Sequence, residues 1–337
     1  MSALLPWQQP VWDELVKRQQ QQGLPHALMF TGIAGIGKHQ LSRSVAQWLL
    51  CTEAETNDSP VACGQCHSCQ LWQAGSHPDF MLCQPQDNSR QIRIDSIRQV
   101  NDFLAQTPQI SRCQLVIIRP VEVMNTNAAN ALLKTLEEPA GESFLLLEAE
   151  RFGSVLPTIR SRCQRLQLQP PDAAQALAWL QQQGIATDQA QLALRFNPGA
   201  PLRARTWLEQ QLGQQQQQWL EQFRQWSMAL MPLETLVAGW SKLEITDVIS
   251  WLDLVLSDAL KVSLGVDEQQ LRYGNLLPQV LAGATLDRSK LITLQRKVME
   301  VQGNLFSGVS HYNKQLLIES LMLDWRQALI PSKTQAQ

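Results

Sequence analysis

Short apolar runs alternate with helical spacing through the first half of the chain. HALMFTG at 26–32 is apolar and ends on glycine, which predicts a buried strand feeding a tight turn. KHQLSRSVAQWLLC at 38–51 then places Leu41, Val45, Trp48 and Leu49 at helical spacing. DFMLCQP (79–85), CQLVIIRP (113–120), SFLLLEAE (143–150) and QRLQLQP (164–170) predict four more strands. CQLVIIRP is nearly all apolar, as a central parallel strand should be, and QRLQLQP alternates like an edge strand. IRIDSIRQVNDFLAQT (92–107) and NTNAANALLKTLEEP (125–139) predict helices, the second stopping before Pro139. SVLPTIRSRC (154–163) reads as a turn and a short helix. This alternation predicts an α/β domain with a parallel sheet.

After PPD (170–172) the strand signals vanish. Residues 172–184, 187–199 and 201–212 predict three short helices, a small helical domain. From about 214 to 326 the pattern is helical again, with apolar faces at 245–265 and 313–329. Asp258 and Lys261 mark 245–265 as a core helix rather than a membrane span, and no apolar stretch approaches the 18 or so residues a span needs. MSALLPWQQPVW lacks the basic segment and apolar run of a signal peptide. The expected compartment is the cytoplasm, where cysteines are reduced or metal-bound. The last residues, PSKTQAQ, read as a frayed tail.

Composition adds two constraints. The 337 residues suit two or three domains, and 44% hydrophobic content supplies real cores. The charged fraction is 17%, below the ~25% of typical soluble proteins, and glutamine fills part of the gap at 19–22, 181–183 and 214–218. Glutamine forms helices well, so these runs read as exposed helix surface. A net charge of −2 argues against a surface that wraps DNA throughout; contact with nucleic acid is expected to be local or indirect.

Four short motifs carry candidate chemistry. TGIAGIGKHQ (31–40) has the glycines and lysine of a phosphate-binding loop, Gly32, Gly37 and Lys38, between a strand and a helix. Such glycines let backbone N–H groups approach phosphate oxygens. The next residue should be Ser or Thr, whose hydroxyl holds Mg²⁺, but it is His39, a poorer ligand for a hard cation. In P-loop enzymes a later strand ends in acidic residues; here LVIIRPVEVM places Arg119-Pro120 there, and Glu122 is not assigned a metal role. Cys51 with Cys63, Cys66 and Cys69 supplies four thiolates, three in CxxCxxC, which suits a closed structural Zn²⁺ site. On spacing alone an iron–sulfur cluster or a redox pair fits too. His67 reads as a loop residue, and Cys83, Cys113 and Cys163 as buried small apolar groups. Ser161-Arg162-Cys163 means little by itself, since a surface arginine is ordinarily an ion-pair partner.

NALLKTLEEP (130–139) and IRSRC (159–163), with GSHPDF (75–80) and a cysteine cluster after the first loop helix, resemble the AAA+ subunits of the bacterial clamp loader. The resemblance implies a RecA-like AAA+ domain at 1–168 with a zinc module inserted at 51–69. It also implies a three-helix lid at 169–212 and a helical collar at 213–330. It implies a hetero-oligomer with gamma/tau and delta subunits, which reaches the sliding clamp and primer–template DNA through the complex. No membrane partner is implied.

Against the family's ATPases this chain is altered at His39, at Arg119-Pro120, and at Ala149-Glu150, where a small polar residue senses the γ-phosphate. It is also altered after Gly199-Ala200-Pro201, where Leu202 stands in place of an arginine and Arg203 is one step off. The arginine motif is kept. The resemblance therefore implies a subunit of the DNA polymerase holoenzyme that does not hydrolyse ATP, a stator. Its Arg162 would act in trans as an arginine finger, with weak nucleotide binding at Gly32, Gly37 and Lys38 left open. The alternatives are an active AAA+ ATPase of gamma/tau type and a zinc-dependent nucleic-acid-binding module.

Overall fold

Alternate residues of β1 (Ala27–Thr31) face opposite sides of a sheet, and both sides are dry. Leu28 and Phe30 join one apolar cluster with Trp12, Leu41, Val45 and Leu146. Ala27 and Met29 join the other, with Ile97, Val100, Leu132 and Leu147. That double burial is why the run is continuously apolar rather than alternating. The computed structural model describes residues 4–54, 61–86, 89, 91–267, 270–274, 285–307 and 312–330.

The sheet order is β2-β3-β4-β1-β5, all parallel, with β2 at Phe80–Cys83, β3 at Gln114–Ile118, β4 at Ser143–Ala149 and β5 at Gln164–Gln167. Each lies inside the range its apolar pattern predicts. Helices α1 (Gln9–Gln21) and α2 (Lys38–Leu50) cover the face of Leu28. Helices α4 (Ile94–Leu104), α5 (Thr126–Glu137) and α6 (Pro157–Arg160) cover the face of Met29. Between β1 and β2 lies α3 (His67–Ala74). Asn125 caps α5, its side chain accepting from the Ala128 N–H at 2.8 Å. Asn125→Ala is expected to lower stability by about 1 kcal/mol in urea denaturation, because that N–H loses its acceptor.

The chain divides into two compact units, Met1–Thr206 and Trp207–Gln337. The first also contains α7 (Ala173–Gln182), α8 (Thr187–Phe196) and the start of α9 (Pro201–Glu209). The second contains α10 (Leu212–Ser227), α11 (Leu233–Trp240), α12 (Ile245–Ser263), α13 (Arg288–Ser307) and α14 (Lys314–Ala328). Its core is aromatic: Trp219 stacks on Phe223 and Trp240, and Phe223 meets Trp325 edge-on.

Two expectations need correction here. Strand signals do not vanish entirely: β6 (Thr285–Leu286) pairs antiparallel with β7 (Leu329–Ile330), too short to leave a periodic pattern. The glutamine runs sit on helices as expected, but Gln216 is buried. It accepts from Trp207 Nε1 and donates to the Tyr273 hydroxyl at 2.7 Å. No helix among the described residues is long and apolar enough to cross a membrane. The tail PSKTQAQ (331–337) lies outside the described residues.

Candidate functional site: a closed nucleotide loop, a thiolate cluster and a presented arginine

The loop after β1 opens at the carboxyl end of the sheet, where α/β folds bind ligands. Gly37 caps α2 with φ of 89°; a Cβ there would fall 2.5 Å from Leu5 Cδ1 and 2.6 Å from Gln8 Nε2. Those close neighbours hold the loop rather than leave it open. Trp7 Nε1–H donates to Ile36 O at 2.8 Å, and Gln8 Nε2–H donates to Gly37 O at 2.8 Å. From the other side, the Leu202 N–H donates to Gly35 O at 3.1 Å, and Arg203 packs directly on Gly35. Trp7 in turn meets Trp179 edge-on at 5.7 Å.

Lys38 turns inward. Its ammonium donates to Gly32 O and Ile33 O, both at 2.9 Å, and lies 4.0 Å from Glu150 Oε1. An ammonium has three N–H groups, so two already serve the loop's own carbonyls. Burial lowers its pKa, opposed by the charges of Glu150, Glu148 and Glu122.

His39 Nδ1 is hydrogen-bonded to Glu148 Oε1 at 2.8 Å. Ser42 donates to the same oxygen, and Arg119 Nε lies 3.8 Å from Oε2. Glu122 accepts from the Glu150 and Arg151 N–H groups, and burial raises its pKa. Around the loop Lys38 and Arg119 thus already have carboxylate neighbours, Glu150 at 4.0 Å from Lys38 and Glu148 at 3.8 Å from Arg119.

Glu148 escaped the sequence reading, because a glutamate within an apolar strand gives no sign of which helix it faces. Nor did the apolar N-terminus reveal that Trp7 and Gln8 would grip the loop.

The four cysteines converge. Their sulfurs all lie within 4.8 Å of one another, with Cys51 to Cys66 at 3.8 Å and Cys63 to Cys69 at 4.0 Å. A tetrahedron with metal–sulfur bonds of ~2.3 Å has edges of about 3.8 Å, so the set fits a metal ion. Backbone N–H groups of Cys63, Cys66 and Cys69 point at sulfurs at 3.3–3.4 Å, which favours thiolate. Burial pushes the Cys66 thiol up, but hydrogen bonds from Thr52 and Cys69 outweigh it and bring it to about 6. Burial raises Cys51 and Cys69.

His67 is not a loop residue: it is the first residue of α3, which Cys66 caps by accepting from the Cys69 N–H and which ends at Gly75. The residue that matters beside the cluster is His77. Its Nδ1 accepts the Asp79 N–H at 3.1 Å, so Nε2 carries the proton, toward Ser68 Oγ at 3.0 Å and Ser111 Oγ at 3.3 Å. Both serines donate to Leu50 O, at 2.6 and 2.7 Å. This network ties the cysteine module to the sheet.

Burial lowers the His77 pKa below 6.5, with the Asp79 charge partly opposing. The folded protein then binds fewer protons than the unfolded chain below pH ~6.5, so stability falls as pH drops through that point. Urea midpoints at about pH 7 and about pH 5.5 should differ, and the difference should shrink in His77→Gln.

Cys83 and Cys113 are buried small groups as expected, whereas Cys163 is half-buried. Burial raises their thiols to about 11, about 12 and about 12. Cys163 packs on the sheet beneath α6, beside Ile159, and so anchors the backbone of its neighbour Arg162. Arg162 Nε donates to Glu137 Oε1 at 2.8 Å, Nη2 meets the same carboxylate, and Nη1 donates to Thr158 O at 3.0 Å. A third of the side chain remains exposed. Arg160 and Arg165 lie nearby in sequence with their guanidinium carbons 5.1 and 4.0 Å from the Phe152 ring.

Fold and loop together define a parallel α/β domain with a phosphate-loop-like turn after its first strand in chain order, followed by a helical unit. The family described as DNA polymerase III, delta subunit, matches residues 7–172, and its C-terminal counterpart matches residues 205–327. The delta' subunit of DNA polymerase III from Pseudomonas aeruginosa is 32% identical over 96% of this chain and 98% of its own length. Those of Haemophilus influenzae (35% identical, 80% and 81% covered) and Escherichia coli (31%, 94% and 94%) are similar too. The chain belongs to the DNA polymerase III delta' subunit family.

Proposed function

We propose that this chain is the non-hydrolysing stator of a cytoplasmic DNA polymerase III clamp loader, with residues 1–168, 169–212 and 213–330 as AAA+ domain, lid and collar. It assembles with gamma/tau and delta subunits and acts on the sliding clamp and primed DNA through them. Arg162 enters the ATP site of the adjoining gamma/tau subunit. Its guanidinium there stabilises charge on the γ-phosphoryl group in the transition state. The four cysteines hold Zn²⁺ as a closed structural site, since four thiolates leave no position for a reacting ligand.

The observation that carries this reading is the inward Lys38, bonded to its own loop's carbonyls beside a His39–Glu148 pair, while Arg162 stays at the surface. The chain keeps the shape of a nucleotide loop and turns its charges on itself. Purified chain should co-purify with gamma/tau and delta yet show no ATP turnover of its own in a coupled assay. Turnover by the isolated chain that disappears in Lys38→Ala would instead make it an active ATPase and overturn the stator role.

A further inference from the structure

We propose that Glu137 is a positioning residue for Arg162, gripping one edge of its guanidinium so that the opposite fork faces a phosphoryl oxyanion brought by an adjoining chain. This rests on the reading of Arg162 given above. A guanidinium carries five N–H groups in a fixed plane. Here Nε and Nη2 serve Glu137, and Nη1 serves Thr158 O at 3.0 Å and, more weakly, Ser161 Oγ at 3.4 Å, so of the fork turned away from the carboxylate the Nη2 N–H is free and the Nη1 N–H has only that long contact to give up. A fork of that shape matches two oxygens of a tetrahedral phosphoryl group.

Fold stability does not account for the pair. Both partners are partly exposed, where ion pairs contribute little. Glu137 is also the last residue of α5, where a negative charge opposes the helix dipole. The platform beneath it is fixed nonetheless. His26 Nε2 hydrogen-bonds Leu136 O at 2.9 Å, and Thr135 Oγ1 donates to Asn101 Oδ1 at 2.8 Å.

A carboxylate beside the arginine acts in two opposed ways. It orients a long, flexible side chain, and it weakens the attraction for phosphate. Orientation is the role assigned here, because misplacing a catalytic group by an ångström is costly.

The two roles separate on substitution. In the reconstituted loader with gamma/tau, delta, clamp and primed DNA, Glu137→Ala is expected to lower kcat at the one ATP site this chain adjoins, read by single-turnover hydrolysis, about tenfold with affinity for ATP little changed. Glu137→Gln keeps an acceptor for Nε–H and is expected to restore kcat to within about twofold of the parent. If Glu137→Ala leaves kcat unchanged or raises it while Arg162→Ala lowers it, the positioning role is wrong and the finger stands. If Arg162→Ala itself has no effect, the finger reading fails and this proposal with it. A thermal melt of each isolated chain, expected to match the parent, shows that the loss is not misfolding.

Discussion

With Arg162 as the proposed finger, Arg162→Ala is expected to lower ATP hydrolysis about 10³-fold at the one site of the assembled loader that this chain would adjoin, by the usual worth of an arginine finger. Total turnover falls only by that site's share, because the other sites keep their own arginines. The expected signature is thus a loader whose steady-state ATPase is partly reduced while clamp loading fails, if opening the clamp needs every site. Single-turnover hydrolysis separates the silent site from the active ones. Arg162→Lys should not rescue. An ammonium on a shorter stem keeps the charge but loses the planar fork, and the Nε–H that pairs with Glu137 is gone. Assembly should be intact in both variants, since Ile159 and Cys163, not Arg162, bury this segment against the sheet. Unchanged single-turnover kinetics in Arg162→Ala would sink the assignment.

Much of the first unit was legible because its strands are buried on both faces. A run such as LVII has few alternatives to a central strand, and Gly32–Lys38 between strand and helix fixes where the loop lies. The altered loop was also legible, through His39, Arg119 and Glu150. What each of those residues contacts was not. Glu148 sits 109 residues from His39 in sequence, and only the parallel pairing of β4 with β1 brings the two within 2.8 Å.

Glu137 likewise lay in plain view within TLEEP, 25 residues before Arg162, with no local spacing to connect them. His77 appeared in GSHPDF only as part of a resemblance; its partners Ser68 and Ser111 come from two other segments. The second unit was legible only as helices. Its aromatic core follows from Trp219, Phe223, Trp240 and Trp325 converging from three helices, a matter of packing that periodicity does not encode.

Removing the metal from the cysteine module should have the largest effect of all, and a local one. Zinc bound by four thiolates contributes roughly 10–16 kcal/mol in small zinc peptides, more than most whole domains have in reserve. Here the sulfurs of Cys51, Cys63, Cys66 and Cys69 would otherwise form a cluster of free thiols, and the apolar anchor left to α3 is Trp72, edge-on to Phe80 at the sheet. The sheet does not depend on that cluster, since its two apolar faces are built by other residues. The predicted outcome is therefore melting of α3 with the sheet intact.

Purified protein should carry about one zinc per chain and lack the visible absorbance of an iron–sulfur cluster. A strong chelator, or Cys69→Ser, should abolish amide-exchange protection in α3 while leaving β1 and β3 protected. Ser68 and His77 then lose their alignment with Leu50 O, so His77→Ala should hasten metal release without touching a ligand. Acid should do the same, because each thiolate that takes a proton leaves the metal. Full protection of α3 in metal-free protein would show that the four cysteines are packed for some other reason.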